Sequence, residues 1–288
     1  MERSGGVSLR GLRVALRNVL LVLVGVVALL FTLVRVGLIP DPFGPSVSGD
    51  VALARSSRAG LRVLFVGNSL TYTNGMPSLV RRLAVADLGP RRLFVVQYTR
   101  PGGRLEQAAR DHRLTTLLRD VHWNAVVLQE QSEIPSLPLS ERRELMDAAA
   151  TDLAWRAASS GARAWLFVTW GYRSGDRGRV HGDSYAAMQA RLDQGYRDVA
   201  AEAGAAVVPV GDAWAVALAR RPGLELWNGD GKHPTKLGSY LAACVFYEFL
   251  THRPAPSYVP AGVSGVDGAF LRKAATTIAE REGALRRN

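Results

Sequence analysis

The chain has 288 residues, of which 48% are hydrophobic and 21% are charged, and this composition argues against a disordered protein. Its length is enough for one sizeable α/β domain with appendages, or for two small domains. The formal net charge is +11, but the arginines are dispersed and no nucleic-acid-binding motif is present, so no nucleic-acid partner is expected. The single cysteine, Cys244, excludes an intramolecular disulfide.

The amino-terminal segment is apolar and follows a basic stretch. Residues 1–17 carry four arginines against one glutamate, and residues 18–34 carry no charge. As a helix, Val19 to Val34 would span about 24 Å, and Val36 to Ile39 extend it toward the ~30 Å of a hydrocarbon core. The sequence therefore predicts a transmembrane signal anchor over residues 18–39. Because the arginine excess precedes this segment, residues 1–17 are expected in the cytoplasm and the remainder outside.

The alternative localisation is outside the cell, after cleavage of a signal peptide and secretion. A signal peptide has a shorter apolar core followed directly by a small-x-small cleavage site, whereas Leu33-Val34-Arg35-Val36 stands at that place. An uncleaved, single-pass anchor in the cell membrane with an extracytoplasmic domain is therefore favoured. Residues 40–59 contain many proline, glycine and serine residues and are predicted to be a linker.

Apolar runs alternate with helical patterns over residues 60–253. The predicted strands are Arg62–Val66, Leu93–Tyr98, Ala125–Gln129, Ala164–Thr169 and Ala206–Pro209. The predicted helices are Met76–Asp87, Leu105–Arg119, Ser140–Ser159, Tyr185–Ala203 and Lys236–Leu250. This alternation predicts an α/β fold, a three-layer flavodoxin-like sandwich with a five-stranded parallel sheet. Residues 254–288 are predicted to be a loop and a C-terminal helix.

Two short motifs place polar side chains at one edge of this sheet. Gly67-Asn68-Ser69-Leu70 follows the first predicted strand, and Asp230-Gly231-Lys232-His233 precedes the helix predicted over 236–250. Each motif alone is weak evidence for a functional site, since a serine after a strand is commonly a turn or cap residue and Asp-Gly is a common turn. Their positions place both at the carboxyl edge, where α/β sheets bind ligands. A serine, a histidine and a carboxylate are the components of a nucleophilic acyl-transfer site.

With two further blocks, the chain resembles the SGNH (GDSL-type) hydrolases. Gly67-Asn68-Ser69-Leu70 is similar to the nucleophile block, whose commoner form is Gly-Asp-Ser, and the Asp230 motif is similar to the Asp-x-x-His block. Pro101-Gly102-Gly103-Arg104-Leu105 resembles the glycine block. Val126-Val127-Leu128-Gln129-Glu130-Gln131-Ser132 lies where the family usually has Gly-x-Asn-Asp. The resemblance covers about residues 60–252. The Gly-Asn-Ser-Leu-Thr and Leu-Gln-Glu-Gln-Ser sequences resemble those of one bacterial branch of the superfamily.

The resemblance implies a Ser-His-Asp catalytic site. Ser69 would attack an ester carbonyl, His233 would take up and return the proton, and Asp230 would orient the imidazole and stabilise its charged form. The oxyanion would be held by the Ser69 amide, the Gly103 amide and a side-chain amide.

The third oxyanion donor is where the chain departs from the family pattern. The family has an asparagine there, and Gln131 offers the same NH₂ group on a stem one methylene longer. Gln129 is the competing choice, and Asp212 is the reserve for the triad acid. Glu130 and Glu133 lie near the site with no required role.

The sequence therefore predicts a membrane-anchored, extracytoplasmic serine esterase that hydrolyses a small, acetyl-type ester on a carbohydrate or envelope component. The alternatives are a lipid acyl-ester hydrolase, an acyltransferase, and a catalytically idle SGNH-fold binding module. No cofactor is expected, and no metal, because the chain has no His-Glu-x-x-His motif and no cysteine pair. The expected partners are an acyl-ester or acylated glycan substrate and the membrane.

Overall fold

The computed structural model describes residues 16–26, 29, 32, 44–57 and 60–285. The chain divides into two units, Met1–Pro45 and Ser46–Asn288. In the first unit, residues 16–26 are helical, and their leucine and valine side chains are exposed. No helix in the described part of the chain has the length and apolar character needed to cross a membrane. Residues 27–28, 30–31 and 33–39 of the predicted span lie outside that part.

The second unit is built on a six-stranded sheet. Its strands are β1 (Ser46–Gly49), β2 (Leu61–Gly67), β3 (Leu93–Thr99), β4 (Ala125–Leu128), β5 (Arg163–Val168) and β6 (Ala206–Pro209). The spatial order is β1-β3-β2-β4-β5-β6, and all pairs are parallel except β1 with β3. The five parallel strands thus follow the order of flavodoxin-like sheets, in which ligands bind where the order reverses, here between β2 and β4.

Helices cover both faces of the sheet, as predicted. They are α1 (Val51–Ser56), α2 (Ser69–Tyr72), α3 (Met76–Leu88), α4 (Leu105–Ala109), α5 (His112–Asp120), α6 (Leu139–Arg142), α7 (Ala148–Ser159), α8 (Tyr185–Ala203), α9 (Val210–Arg220), α10 (Lys236–Thr251) and α11 (Gly265–Arg281). The turn Arg143–Asp147 between α6 and α7 is π-helical.

Successive residues of each central strand enter different cores. In β2, Val63 and Phe65 pack in a cluster with α3, α9, α10 and α11, whereas Leu64 and Val66 pack in a cluster with α4, α5, α7 and α8. Strands buried on both faces have continuous apolar sequences. This is why the apolar runs identified the five parallel strands.

The prediction of a five-stranded, wholly parallel sheet is wrong at one edge. Ser46–Gly49 forms β1 and Val51–Ser56 forms α1, both within residues 40–59, where a linker was predicted. The strand sequence Ser-Val-Ser-Gly contains no apolar run that would identify it. Backbone pairing with β3, from Ser46 opposite Thr99 to Gly49 opposite Val96, orders it. The added strand covers a sheet edge that would otherwise be open.

The C-terminal helix α11 belongs to the core, since it packs along α10. Glu248 of α10 is fully buried, and its Oε1 accepts hydrogen bonds from the Ala255 amide (3.0 Å) and the Thr276 hydroxyl (2.8 Å). Burial raises the pKa of Glu248 to about 7, although these two hydrogen bonds lower it. This carboxyl therefore joins α10 to the loop after it and to α11.

Candidate active site

The turn after β2 presents Ser69 at the carboxyl edge of the sheet. Asn68 caps α2, because its Oδ1 accepts a hydrogen bond from the Leu70 amide (3.1 Å). Its Nδ2 donates to the Gly103 carbonyl (3.0 Å), which ties the turn to the segment after β3. At Gly67 a Cβ would overlap the side chains of Thr71 and Gln129, so this position requires glycine.

Ser69, His233 and Asp230 form a continuous hydrogen-bonded chain. His233 Nε2 lies 2.8 Å from Ser69 Oγ, and His233 Nδ1 lies 2.5 Å from Asp230 Oδ2. An ionised carboxylate only accepts hydrogen bonds, so the Nδ1 proton points to Asp230 and Nε2 is left to accept from the serine hydroxyl. The structure thus brings together the three side chains predicted to form the catalytic site, across 164 residues of sequence.

Asp230 is held by its own turn. Oδ1 accepts hydrogen bonds from the amides of Lys232 (2.9 Å) and His233 (3.0 Å), and Gly231 supplies the positive φ of 70° that the turn requires. Partial burial raises the pKa of Asp230, but the hydrogen bonds from the His233 side chain and the two amides outweigh it and hold the pKa below its ordinary value. The carboxyl group is therefore ionised at neutral pH.

The segment after β5 supports the histidine loop. The Trp170 indole N–H donates to the Lys232 carbonyl (2.9 Å), and the Arg173 amide donates to the Gly231 carbonyl (2.9 Å). Trp170 is buried and stacks on Trp214, with ring centroids 4.2 Å apart. Trp170 therefore holds the backbone next to His233.

The structure separates the two glutamines that competed as oxyanion donors. Gln129 is buried, its Oε1 accepts from the Asn68 amide (2.9 Å) and the Thr71 hydroxyl (2.9 Å), and its Nε2 donates to the Glu130 carbonyl. Both ends of its amide are therefore engaged, Oε1 by the serine turn and Nε2 by the Glu130 carbonyl. Gln131 is partly exposed, and its Oε1 accepts from the Glu133 amide (2.9 Å), which turns the NH₂ group the other way. Of the two, Gln131 therefore stays the candidate for the side-chain donor.

Gly103 is buried beside the serine turn, but its amide is engaged. The Gly103 N–H donates to the Arg100 carbonyl (3.0 Å) and closes the turn after β3. Its predicted role as an oxyanion donor would require this N–H to be shared or released. Ser69, in contrast, is the first residue of α2, where the N–H has no partner within the helix.

A polar cluster borders the site on the side of His233. Tyr172 Oη lies 2.6 Å from Ser132 Oγ and donates to Glu133 Oε1 (2.8 Å). Lys232 Nζ lies 4.4 Å from the Tyr172 ring centroid and 3.5 Å from Glu133 Oε1. This rim therefore offers hydroxyl, carboxylate and ammonium groups.

Asp212, the reserve triad acid, lies elsewhere. It stands in the first turn of α9 and pairs with Arg281 and Arg197. Asp230 has the place beside His233. Among the described residues, no group of three His, Cys, Asp or Glu side chains is arranged to hold a metal ion.

Glu130 is a residue near the site whose contacts sequence analysis missed. Its side chain is fully buried and accepts hydrogen bonds from the amides of Leu105 and Gln131. The signal was a polar Gln-Glu pair directly after a buried strand, because buried polar groups need partners. Which partners they have is decided by segments distant in sequence.

Solved structures share this fold. A protein from Slackia heliotrinireducens that is assigned as an SGNH hydrolase is 30% identical, with a TM-score of 0.54. The match covers 66% of this chain and 98% of that chain. A DUF4886 family protein from Bacteroides uniformis is 19% identical, with a TM-score of 0.65, over 79% of this chain and 97% of that one.

An acetyl-xylooligosaccharide esterase variant from Geobacillus is 16% identical, with a TM-score of 0.51, over 69% of this chain and 98% of the other. At this identity the likeness concerns the fold alone. No protein-family model matches the chain, and a search of curated proteins finds no match.

Proposed function

Because this chain belongs to the SGNH hydrolases, which are serine hydrolases that act on esters, we propose that it removes a small, acetyl-type acyl group from a carbohydrate or another envelope component. The observation that carries the proposal is the hydrogen-bonded chain from Ser69 through His233 to Asp230. An aligned nucleophile, base and orienting carboxylate are the parts that acyl transfer requires.

The first half-reaction forms an acyl-enzyme. Ser69 Oγ attacks the ester carbonyl carbon while His233 Nε2 takes the hydroxyl proton, and the carbonyl oxygen becomes an oxyanion. The Ser69 amide and the Gln131 NH₂ group donate hydrogen bonds to this oxyanion. When the intermediate collapses, the bond to the leaving alcohol breaks and His233 returns the proton to the alcohol oxygen.

The second half-reaction repeats these steps with water. His233 takes a proton from water as its oxygen attacks the acyl carbon, and the proton then goes to Ser69 Oγ as the acid leaves. Asp230 stabilises the imidazolium formed in both halves. Its lowered pKa keeps it ionised for this purpose throughout the neutral range.

The polar rim supports a hydroxyl-rich leaving group. Ser132, Glu133 and Lys232 present groups that hydrogen-bond with sugar hydroxyls, whereas an acyl-chain site is lined mostly by apolar side chains. The acetyl-xylooligosaccharide esterase among the structural neighbours has the same fold. A carbohydrate ester therefore fits this edge better than a lipid ester.

The substrate proposal is tested by acyl length. The full-length chain should hydrolyse p-nitrophenyl acetate, with a kcat/KM for the octanoate ester no higher than that for acetate, because a site built for acetyl gains nothing from extra methylenes. It should also release acetate from an acetylated oligosaccharide. Preference for octanoate would point to a lipid ester hydrolase. A folded protein that turns over no ester would instead be a binding module.

The second part of the proposal is that residues 18–39 anchor the protein in the cell membrane with the hydrolase domain outside. The uncharged segment and the preceding arginines support this, as do the exposed apolar side chains of residues 16–26. The full-length protein with a C-terminal tag is expected in the membrane fraction. Protease added to spheroplasts should degrade its domain.

A variant without residues 1–39 is the control for the anchor. It should remain in the soluble fraction and inside the cell. Protection of the full-length domain from external protease would contradict the proposed orientation, and a soluble full-length protein would contradict the anchor.

A further inference from the structure

Glu130 connects the two segments that flank the candidate oxyanion site. Its side chain is 0% exposed. Oε1 accepts hydrogen bonds from the amides of Gln131 (2.6 Å) and Leu105 (3.2 Å), and Oε2 lies 3.3 Å from the same Leu105 nitrogen. Leu105 follows Gly103 by two residues. One carboxyl group thus ties the glycine block to the residue that bears the side-chain amide.

The backbone of Glu130 extends this connection to the serine turn. Its carbonyl accepts a hydrogen bond from Gln129 Nε2, and Gln129 Oε1 accepts one from the Asn68 amide. The Glu130 amide donates to the Tyr196 hydroxyl of α8 (3.2 Å). A displacement of Glu130 would therefore be transmitted to Ser69 as well as to Gln131.

The charge state of Glu130 affects these bonds. Burial raises its pKa to about 7, while the amides of Gln131 and Leu105 lower it. The charged and titratable groups that face it are Arg104, which lowers the pKa, Glu106, which raises it, and Tyr196. An ionised carboxylate accepts stronger hydrogen bonds than a protonated one, so the connection is tightest above neutral pH.

We propose that Glu130 is a positioning residue, whose carboxylate fixes the Gly103 segment and Gln131 relative to Ser69 in the geometry that binds an oxyanion. This inference rests on the proposed esterase function. Glu130 need not touch the substrate, since it acts through the two amides that it holds.

Glu130→Gln in the full-length chain tests the proposal. The new NH₂ group is a donor that must face one of two N–H donors, so kcat for p-nitrophenyl acetate should fall about 10- to 100-fold, less than or similar to the loss of a whole oxyanion donor. KM should change less than about threefold, because the loss falls on the transition state. The ratio of wild-type to variant kcat should shrink as the pH is lowered through about 7, where the wild-type carboxyl becomes protonated.

Glu248→Gln is the matched control. Glu248 is also fully buried with a pKa raised to about 7, but it lies on α10 among residues of the C-terminal segment. Its replacement should leave kcat unchanged. Equal losses in both variants, or wild-type kcat in Glu130→Gln, would overturn the proposal.

Two further results separate the possible failures. If Glu130→Gln does not fold, Glu130→Asp keeps the charge on a shorter stem and should still lose kcat with unchanged KM; full activity there would overturn the inference. Absence of ester turnover by the wild type would instead refute the proposed function. An active wild type with an inactive Ser69→Ala and a fully active Glu130→Gln would refute the positioning role alone.

Discussion

Ser69→Ala is expected to lower kcat for p-nitrophenyl acetate by about 10⁴- to 10⁶-fold, the range found when a triad nucleophile is removed. The methyl group has no atom that can form the acyl bond, and His233 then has no hydroxyl proton to take up. Activity above the uncatalysed rate should remain, because the oxyanion donors still act on a water attack. Turnover is measured together with covalent labelling by an organophosphate, located by peptide mass spectrometry.

The structure predicts that this variant folds normally. Ser69 Oγ makes its hydrogen bond to His233, whereas the turn is held by Asn68, Gln129 and Thr73. The unfolding free energy should change by about 1 kcal/mol or less. Ser140→Ala, an exposed serine of α6, is the matched control and should keep wild-type kcat. Covalent labelling that survives in Ser69→Ala, or turnover close to the wild-type rate, would show that another residue is the nucleophile.

The strands that could be predicted are those whose burial on both faces leaves a continuous apolar run in the sequence. The β2 residues Val63 to Val66 are buried on both faces, and this leaves a continuous apolar signal. β1 has no such signal, since its four residues are ordered by pairing with β3 rather than by burial of side chains. The strand propensity of a short polar segment does not predict pairing with a strand about fifty residues away.

The candidate site divides in the same way. Ser69, Asp230 and His233 could be located because the topology of a parallel sheet brings strand ends to one edge. Gln129 and Gln131 could not be distinguished, because each carries the same amide and only the direction of the side chain decides its role. Gln129 turns under the serine turn toward Asn68, and Glu130 is enclosed by Leu105 and Tyr196. These are contacts between distant segments, and local sequence does not encode them.

Asp230→Asn is expected to lower kcat by about 10²- to 10⁴-fold with little change in KM. The amide oxygen of the new side chain can still accept from the Lys232 and His233 amides, so the turn should persist. Its NH₂ group, however, would donate to His233 Nδ1. The imidazole proton would then lie on Nε2, which faces Ser69 Oγ at 2.8 Å. In that tautomer His233 cannot accept the serine proton, and no carboxylate stabilises the imidazolium.

Asp212→Asn decides between the two acids. Asp212 pairs with Arg197 and Arg281 near α11, so its replacement should affect stability but leave kcat within about twofold of wild type. Measuring kcat and the melting temperature for both variants separates a catalytic loss from a folding loss. A large loss in Asp212→Asn with an active Asp230→Asn would transfer the role of triad acid to Asp212. The 2.5 Å contact between Asp230 and His233 then would have no function in catalysis. We expect the catalytic loss in Asp230→Asn instead, because a carboxylate can set the tautomer of an imidazole only through direct contact with its Nδ1 proton.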